Sequence, residues 1–452
     1  MNVQIFSAHR RSIIGLTGIA LAATTVSALA LTGCNLQDCD AVQGDYEQAL
    51  VRESALVELD DQGPPHLAMA LRLDFVNDLT SSVLDRVIGE ALDLGGSLNV
   101  SGQTLGFSLG STGANLGLAA SDRCDGCLQV AGDFDGDFSV DLPGLGSRSS
   151  PLKGGMDWVV PLSVGRDGGD AAIFLDTPEA ARMGGLSLDA RLDGLSSTWA
   201  SPVASALSTE IASVLESRLN PIRLVGYALP DLGLGGLELT PSLFRLDGAS
   251  NSLILGVRTN ADVQTAMRSD QDFVDALSLS GGQNVALGIQ PGFVVEAVRL
   301  GLREERIPRR YSTRGEARDD GPARAVVDDF RAGAHGSGGD AVGLGLDFRL
   351  FNFQTLQGLG CFSVDGLAES RLAIQDGQIA LELENVDFTG GGGLIDAANW
   401  ASAEFIESSQ TVVSRSLNDD VISSAGLGVS LRGDRVSTDA GMLILRGVGS
   451  SN

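Results

Sequence analysis

The chain has 452 residues and a formal net charge of −27, with 58 acidic against 31 basic side chains. A surface this acidic repels phosphate-rich polymers, which argues against nucleic acid as a partner. A chain of this length is too long for one ordinary core, and it predicts two or three domains.

The first 33 residues have the pattern of an export signal. Arg10 and Arg11 precede an uncharged apolar stretch from Ile13 to Leu31, which is typical of a signal peptide. The stretch ends in Leu31-Thr32-Gly33-Cys34, which resembles the lipobox of bacterial lipoproteins. We therefore expect cleavage before Cys34 and a lipid anchor of palmitate-like chains on that cysteine, each buried CH₂ contributing about 0.8 kcal/mol to membrane binding. Losing residues 1–33 removes two arginines and no acid, so the net charge changes from −27 to −29.

Four further cysteines are candidates for disulfides, namely Cys39, Cys124, Cys127 and Cys361. An oxidising exterior favours disulfides. An Asp-Gly turn separates Cys124 from Cys127, which could bring their sulfurs together and leave Cys39 to pair with Cys361. Free thiols, or a metal or redox role, are the alternatives. A zinc site would want four ligands, and only His66 and His335 remain to help.

The chain contains an internal repeat of about 200 residues. Residues 67–76 align with residues 285–294, and each segment is a short apolar strand that runs into a helix. Trp199-Ala200-Ser201 is echoed by Trp400-Ala401-Ser402, and each tryptophan opens a second helical stretch. The halves finish on residues 253–255 and 443–445, both Leu-Ile-Leu. The order of strand, helix, several strands, helix and strands therefore occurs twice.

Spacing predicts two amphipathic helices in the first half. Asp74 is a good N-cap for the first, in which apolar side chains recur at the helical period. In the second, Ser201 can cap, Pro202 suits the first turn and Pro221 ends the helix. The stripe of the second helix continues through Val203, Leu207, Ile211, Val214 and Leu215.

The segment between the helices changes to a period of two. From Asp133 to Leu142, phenylalanine and aliphatic residues alternate with acids, which predicts a half-buried antiparallel strand. A calcium loop is the alternative, but the glycine and acid spacing does not fit one. In the second half, an arginine- and glycine-rich segment at about residues 303–340 predicts an insertion with a flexible loop.

Catalytic patterns are absent from the sequence. Lys153 is the one lysine, and no glycine-rich phosphate loop leads into it. After cleavage of residues 1–33 only two histidines remain, and they offer little for triads or metal sites. We therefore expect no enzyme activity, no cofactor and no metal.

The repeated plan resembles the tubular lipid-binding (TULIP) superfamily, which includes bactericidal/permeability-increasing protein and lipopolysaccharide-binding protein. The likeness is carried by a strand-to-helix opening (Leu71 to Leu92, Ile289 to Glu305), by a long second helix, and by a proline-marked return to strands from Pro221. It implies an α+β fold of two tandem repeats, each a highly twisted antiparallel sheet wrapped around a long amphipathic helix. The expected division is 1–33 signal peptide, 34–62 N-terminal tether, 63–260 first domain and 261–452 second domain.

The resemblance also implies that acyl tails lie between sheet and helix. The side chains placed against the tails would be Phe75, Leu79, Val83, Trp199, Val203, Leu207 and Ile211 in the first half, and Phe293, Trp400, Phe405 and Val412 in the second. Plain core packing is the alternative for every one of them.

These features predict a membrane-anchored lipoprotein that binds or carries phospholipid or another acyl lipid. The alternative is a structural or interaction lipoprotein with packed cores and an acidic surface for a partner. The acidic charge fits a neutral or zwitterionic lipid better than lipopolysaccharide. Asn35 after the anchor cysteine resembles lipoproteins sent to the outer membrane, so we expect a place in the bacterial cell envelope.

Overall fold

A computed structural model describes most of the chain after residue 37. The described residues are 38–53, 56–59, 62–91, 93–124, 126–142, 144–184, 186–193, 195, 197–218, 220–227, 236–248, 250–265, 269–312, 316–334, 341–353, 361–375, 378–389, 404–409, 422–424, 427–439 and 441–451. The predicted signal peptide and the anchor residue Cys34 lie outside them.

The helices are short except for two in the first half. They are α1 (Cys39–Val51), α2 (Leu73–Ala91), α3 (Thr177–Met183), α4 (Ser197–Arg218), α5 (Asp270–Ala276) and α6 (Pro291–Arg303). A further helical stretch spans residues 404–409.

Strands make up most of the remaining described chain. In the first half they are β1 (Leu67–Arg72), β2 (Leu94–Val100), β3 (Gln103–Ala120), β4 (Cys127–Leu142), β5 (Gly146–Asp167), β6 (Asp170–Leu175), β7 (Leu186–Leu192), β8 (Ile222–Tyr227), β9 (Leu239–Asp247) and β10 (Ser252–Thr259). In the second half they are β11 (Val285–Ile289), β12 (Arg310–Tyr311), β13 (Ala323–Ala334), β14 (Ala341–Asn352), β15 (Phe362–Gln375), β16 (Gln378–Thr389), β17 (Ile422–Ser424), β18 (Leu427–Asp439) and β19 (Met442–Ser451).

These strands form two antiparallel sheets. The larger has the order β2-β3-β4-β5-β6-β8-β17-β18-β19-β11-β1-β10-β9, with β7 attached to β5. The smaller has five strands in the order β12-β13-β14-β15-β16. With the helices, this is the α+β, mainly antiparallel architecture that the sequence predicts.

Strands from both halves pair side by side near one end of the larger sheet, in the order β10-β1-β11-β19, which we call the junction strands. Met69 of β1 lies opposite Leu287 of β11, so that Leu67 faces Ile289 and Leu71 faces Val285. On the outer sides, Met69 faces Leu255 of β10 and Leu287 faces Leu445 of β19. Strands β1, β10 and β11 consist almost entirely of buried apolar residues, as strands covered on both faces should.

The first-half core lies between the sheet β2 to β5 and the helices α2 and α4. In β4, Phe134, Phe138, Val140 and Leu142 are buried, and the aspartates between them are exposed. This is the alternation that the sequence predicts, and it gives the sheet one apolar face. The apolar faces of α2 and α4 cover it in one continuous cluster of buried side chains.

Element boundaries differ from the sequence prediction in several places. Helix α4 begins at Ser197, one turn earlier than predicted, so Ser201 is not its cap and Pro202 lies inside the helix. Helix α2 begins at Leu73, which places Asp74 in the first turn. Residues 323–334, assigned from sequence to an insertion, form β13, which pairs along its length with β14. Residues 39–51 of the expected tether are helical.

Candidate functional site

The main candidate site is a cleft between helix α4 and strand β7, which we call the α4–β7 groove. Its volume is about 520 Å³, within the range of ordinary ligand sites. It is lined by Leu188, Asp189, Ala190, Arg191, Leu192, Ala200, Ser201, Ala204, Ser205 and Ser208.

The sequence of α4 explains why a groove forms there. One face of the helix, carrying Val203, Leu207, Ile211 and Leu215, is completely buried against the sheet. The flank towards β7 carries alanine and serine instead. Side chains this small cannot fill the space beside the strand. Helix α4 therefore packs closely against the core and leaves a gap beside β7.

The floor of the groove is apolar and leads into the first-half core. Leu188 of β7 and Ala204 of α4 are half-buried and pack against that core, as do Leu186 and Trp199 beside them. Strand β7 pairs with β5 and has no second strand neighbour among the described strands. The edge of β7 therefore faces α4.

The rim of the groove is polar. The Ala190 N–H of β7 donates to Ser208 Oγ of α4 at 3.3 Å. Arg191 and Asp189 form an exposed ion pair at 2.8 Å. An apolar floor with a polar rim suits an amphiphile, because the tail can leave water while the headgroup stays hydrated.

The residues predicted to contact lipid tails in the first half lie in or against the core. Phe75, Leu79, Val203, Leu207 and Ile211 are buried, none more than 6% exposed. Trp199 is half-buried and packs against the same cluster. The side chain of Val83 lies outside the described residues. The described side chains therefore pack on each other beneath the groove.

The second half holds a smaller apolar space. Phe293 of α6 and Phe405 of stretch 404–409 are fully buried. Beside the same stretch lies a cavity of about 20 Å³, lined by Phe330, Leu344, Leu346, Ala368, Ser370, Leu381, Ile406 and Ser409. That is room for about one water molecule. The predicted tail contacts Trp400 and Val412 lie outside the described residues.

The four candidate cysteines are joined in two pairs. Cys39 is bonded to Cys361, and Cys124 is bonded to Cys127. The first bond joins residues 322 apart in the sequence, whereas the second closes a four-residue turn.

Ionisable groups with shifted pKa values lie away from the groove. Burial, and secondly the nearby charge of Arg258, lowers the pKa of His66 to about 3. Burial raises the pKa values of Tyr227 and Tyr311 above their ordinary range. Within the described ranges, no group of three histidine, cysteine or acidic side chains is placed to hold a metal ion.

Sequence reasoning missed the α4–β7 groove. A signal was present, because Ala200, Ala204 and Ser208 recur every four residues and so lie along one flank of α4. The pattern gave no sign that β7 would lie beside that flank. Among the described helices, none combines the length and the apolar character that a membrane span needs.

Comparisons with known proteins give few matches. No protein-family model matches the chain, and no curated protein matches it significantly. Similar solved structures include a lipopolysaccharide binding protein, with 12% identity and a TM-score of 0.39, covering 86% of this chain and 99% of that one. P47 of Clostridium botulinum E1 has 10% identity and a TM-score of 0.35, covering 85% of this chain and 99% of that one.

Proposed function

We propose that this protein is a membrane-anchored lipoprotein of the bacterial envelope that binds an acyl lipid without chemically changing it. The α4–β7 groove is the main support for lipid binding, because its apolar floor continues into the first-half core. The anchor would be acylated Cys34, and the lipid would enter tail first beside Leu188 and Ala204. We also propose that the protein is anchored to the outer membrane.

The driving force for binding is the removal of the tail from water, at about 25 cal/mol for each Å² of apolar surface. The side chains beneath the groove pack closely on each other, so a long tail requires α4 to move away from β7. The small side chains on this flank bury little apolar surface against β7, which lowers the cost of that separation, and the separation breaks the hydrogen bond from Ala190 to Ser208. A zwitterionic headgroup suits the rim, where Asp189 and Arg191 offer both charges.

We also propose that the two halves are tandem copies of one domain. Residues 67–71 align with 285–289 in sequence, and these segments pair antiparallel about Met69 and Leu287. Two copies related by a two-fold axis would pair in this way. The outer strands support the same symmetry, because Leu255 opposite Met69 corresponds in the alignment to Leu445 opposite Leu287.

A second function is favoured by the close packing of the described interior. The buried side chains beneath the groove and the cavity of about 20 Å³ in the second half are what an interaction lipoprotein with solid cores would show. Its acidic surface, in a chain of net charge −27, would then bind a protein partner or divalent cations.

Filling the groove distinguishes the two functions. Ser205 lines the groove and is exposed, so Ser205→Trp should occupy the space without disturbing the core. We expect the variant to bind NBD-labelled phosphatidylethanolamine about tenfold more weakly, because an indole displaces enough tail surface to cost about 1.4 kcal/mol. The measurement is a fluorescence titration of the form that begins after Cys34.

The matched control is Ser213→Trp, at an exposed serine of the same helix that does not line the groove. It should bind the lipid like the parent protein. Equal binding by both variants would mean that lipid binds outside the α4–β7 groove. Absence of lipid binding by the parent protein would favour the interaction lipoprotein.

A further inference from the structure

The N-terminal helix α1 is fixed to the second half of the molecule. Val42, Tyr46 and Ala49 are buried in a cluster with Val326 and Phe351 of the smaller sheet. The disulfide from Cys39 to Cys361 closes the N-terminal end of the helix onto the same sheet. Helix α1 is therefore part of the folded body.

Two arginines of the second half also contact α1 and the residues just after it. The Arg324 guanidinium lies 5.0 Å from the centre of the Tyr46 ring and 4.6 Å from that of Phe353, close enough for cation–π attraction. Just beyond the helix, Arg309 donates to both carboxylate oxygens of Glu53, at 3.1 and 2.7 Å. All these partners lie in residues 309–361 of the second half.

This attachment sets the reach of the lipid anchor. Cys34 and Cys39 are five residues apart, a span of at most about 18 Å when fully extended. A free tether from residue 34 to residue 62 would reach several times farther. If Cys34 is acylated, the membrane surface must lie close to the Cys39–Cys361 bond.

Helix α4 and strand β7 pack against β2, β5, α2 and α3, whereas the smaller sheet that holds α1 packs against β18 and α6. From Cys39, α1 extends about 20 Å, and the chain then reaches Val57, whose N–H donates to the Asn260 carbonyl beside β10. The groove lies between α4 and β7, which pairs with β5, so the groove and α1 lie against different sets of elements.

We propose that α1 acts as a rigid spacer that holds the second half against the anchoring membrane and keeps the α4–β7 groove away from it. This inference rests on the proposed anchor at Cys34. It implies that the groove takes its lipid from, or delivers it to, a site other than the bilayer surface beneath the anchor.

The single lysine of the mature chain makes the orientation measurable. Lys153 is exposed on β5, in the first half, opposite Arg191 of β7. An amine-reactive donor dye on Lys153 can transfer energy to acceptor-labelled headgroups in vesicles of phosphatidylcholine and phosphatidylethanolamine. The comparison is the double variant Lys153→Arg with Gln48→Lys, which moves the dye to an exposed position on α1. Lys153→Arg alone measures labelling of the amino terminus.

The acylated protein should float with the vesicles and show several-fold more efficient transfer from the α1 position than from Lys153. The pair Cys39→Ser and Cys361→Ser should raise transfer from Lys153, because loss of the bond lengthens the tether. Floating protein with equal transfer from the two positions would overturn the spacer while leaving the anchor intact. Protein that does not float would overturn the anchor, and the spacer with it.

Discussion

His66 shows how a single residue depends on distant parts of the chain. Its ring is fully buried, and Nδ1 accepts the Thr259 N–H at 3.1 Å from a residue 193 positions away. The sequence shows a lone histidine and cannot show this neighbour. By contrast, the burial of Phe134 and Phe138 was predictable, because alternation along one strand is a local property.

The depressed pKa of His66 makes stability depend on pH. The folded protein keeps His66 neutral down to about pH 3, whereas the unfolded chain binds a proton near pH 6.5. Between these values the unfolded state holds one more proton, so stability is lost as the pH falls. His66→Asn, which retains an acceptor for Thr259, should reduce the slope of unfolding free energy by about 1.4 kcal/mol per pH unit between roughly pH 4 and 6.

Urea denaturation of both proteins across this pH range provides the measurement. The difference in slope isolates His66, because the carboxylates are common to both proteins. Equal slopes of unfolding free energy against pH in the two proteins would mean that His66 binds a proton as readily in the folded protein as in the unfolded chain.

Secondary-structure elements were predictable where their periodicity is local. The helices at α2 and α4 and the strand β4 follow from spacing, although α4 begins earlier because Trp199 packs against the core and extends the helix. Strand β13 was missed since its arginines and acids indicate a surface segment, while Val326, Val327 and Phe330 are buried in the smaller sheet. Helix α1 gave no strong signal, because its partners are more than 250 residues away.

The attachment of α1 should contribute strongly to stability through its disulfide. In the chain-entropy estimate, a bond that closes a loop of 322 residues contributes about 6 kcal/mol, against about 2 kcal/mol for the short turn. Replacing Cys39 and Cys361 with serine should therefore lower the unfolding free energy more than replacing Cys124 and Cys127. Denaturant unfolding of the two double variants compares them directly, and a larger loss from the short-turn pair would show that α1 contributes little.

In the molecule as a whole, the junction strands β10-β1-β11-β19 join the two halves in one sheet. A repeat is predicted from the sequence because residues 67–71 and 285–289 are both short apolar runs. Their direct pairing was not visible, since equal apolar strands can pair in several registers. The groove was missed for a related reason: α4 and β7 meet only after the sheet has formed.

Native mass spectrometry with lipid extraction is the direct test of whether this protein binds an acyl lipid. The sample is the soluble form that begins after Cys34, purified from a bacterial periplasm. We expect co-purifying phospholipid at about one molecule per chain, because one groove takes one lipid. A clean apoprotein that also takes up no NBD-labelled phosphatidylethanolamine would contradict it.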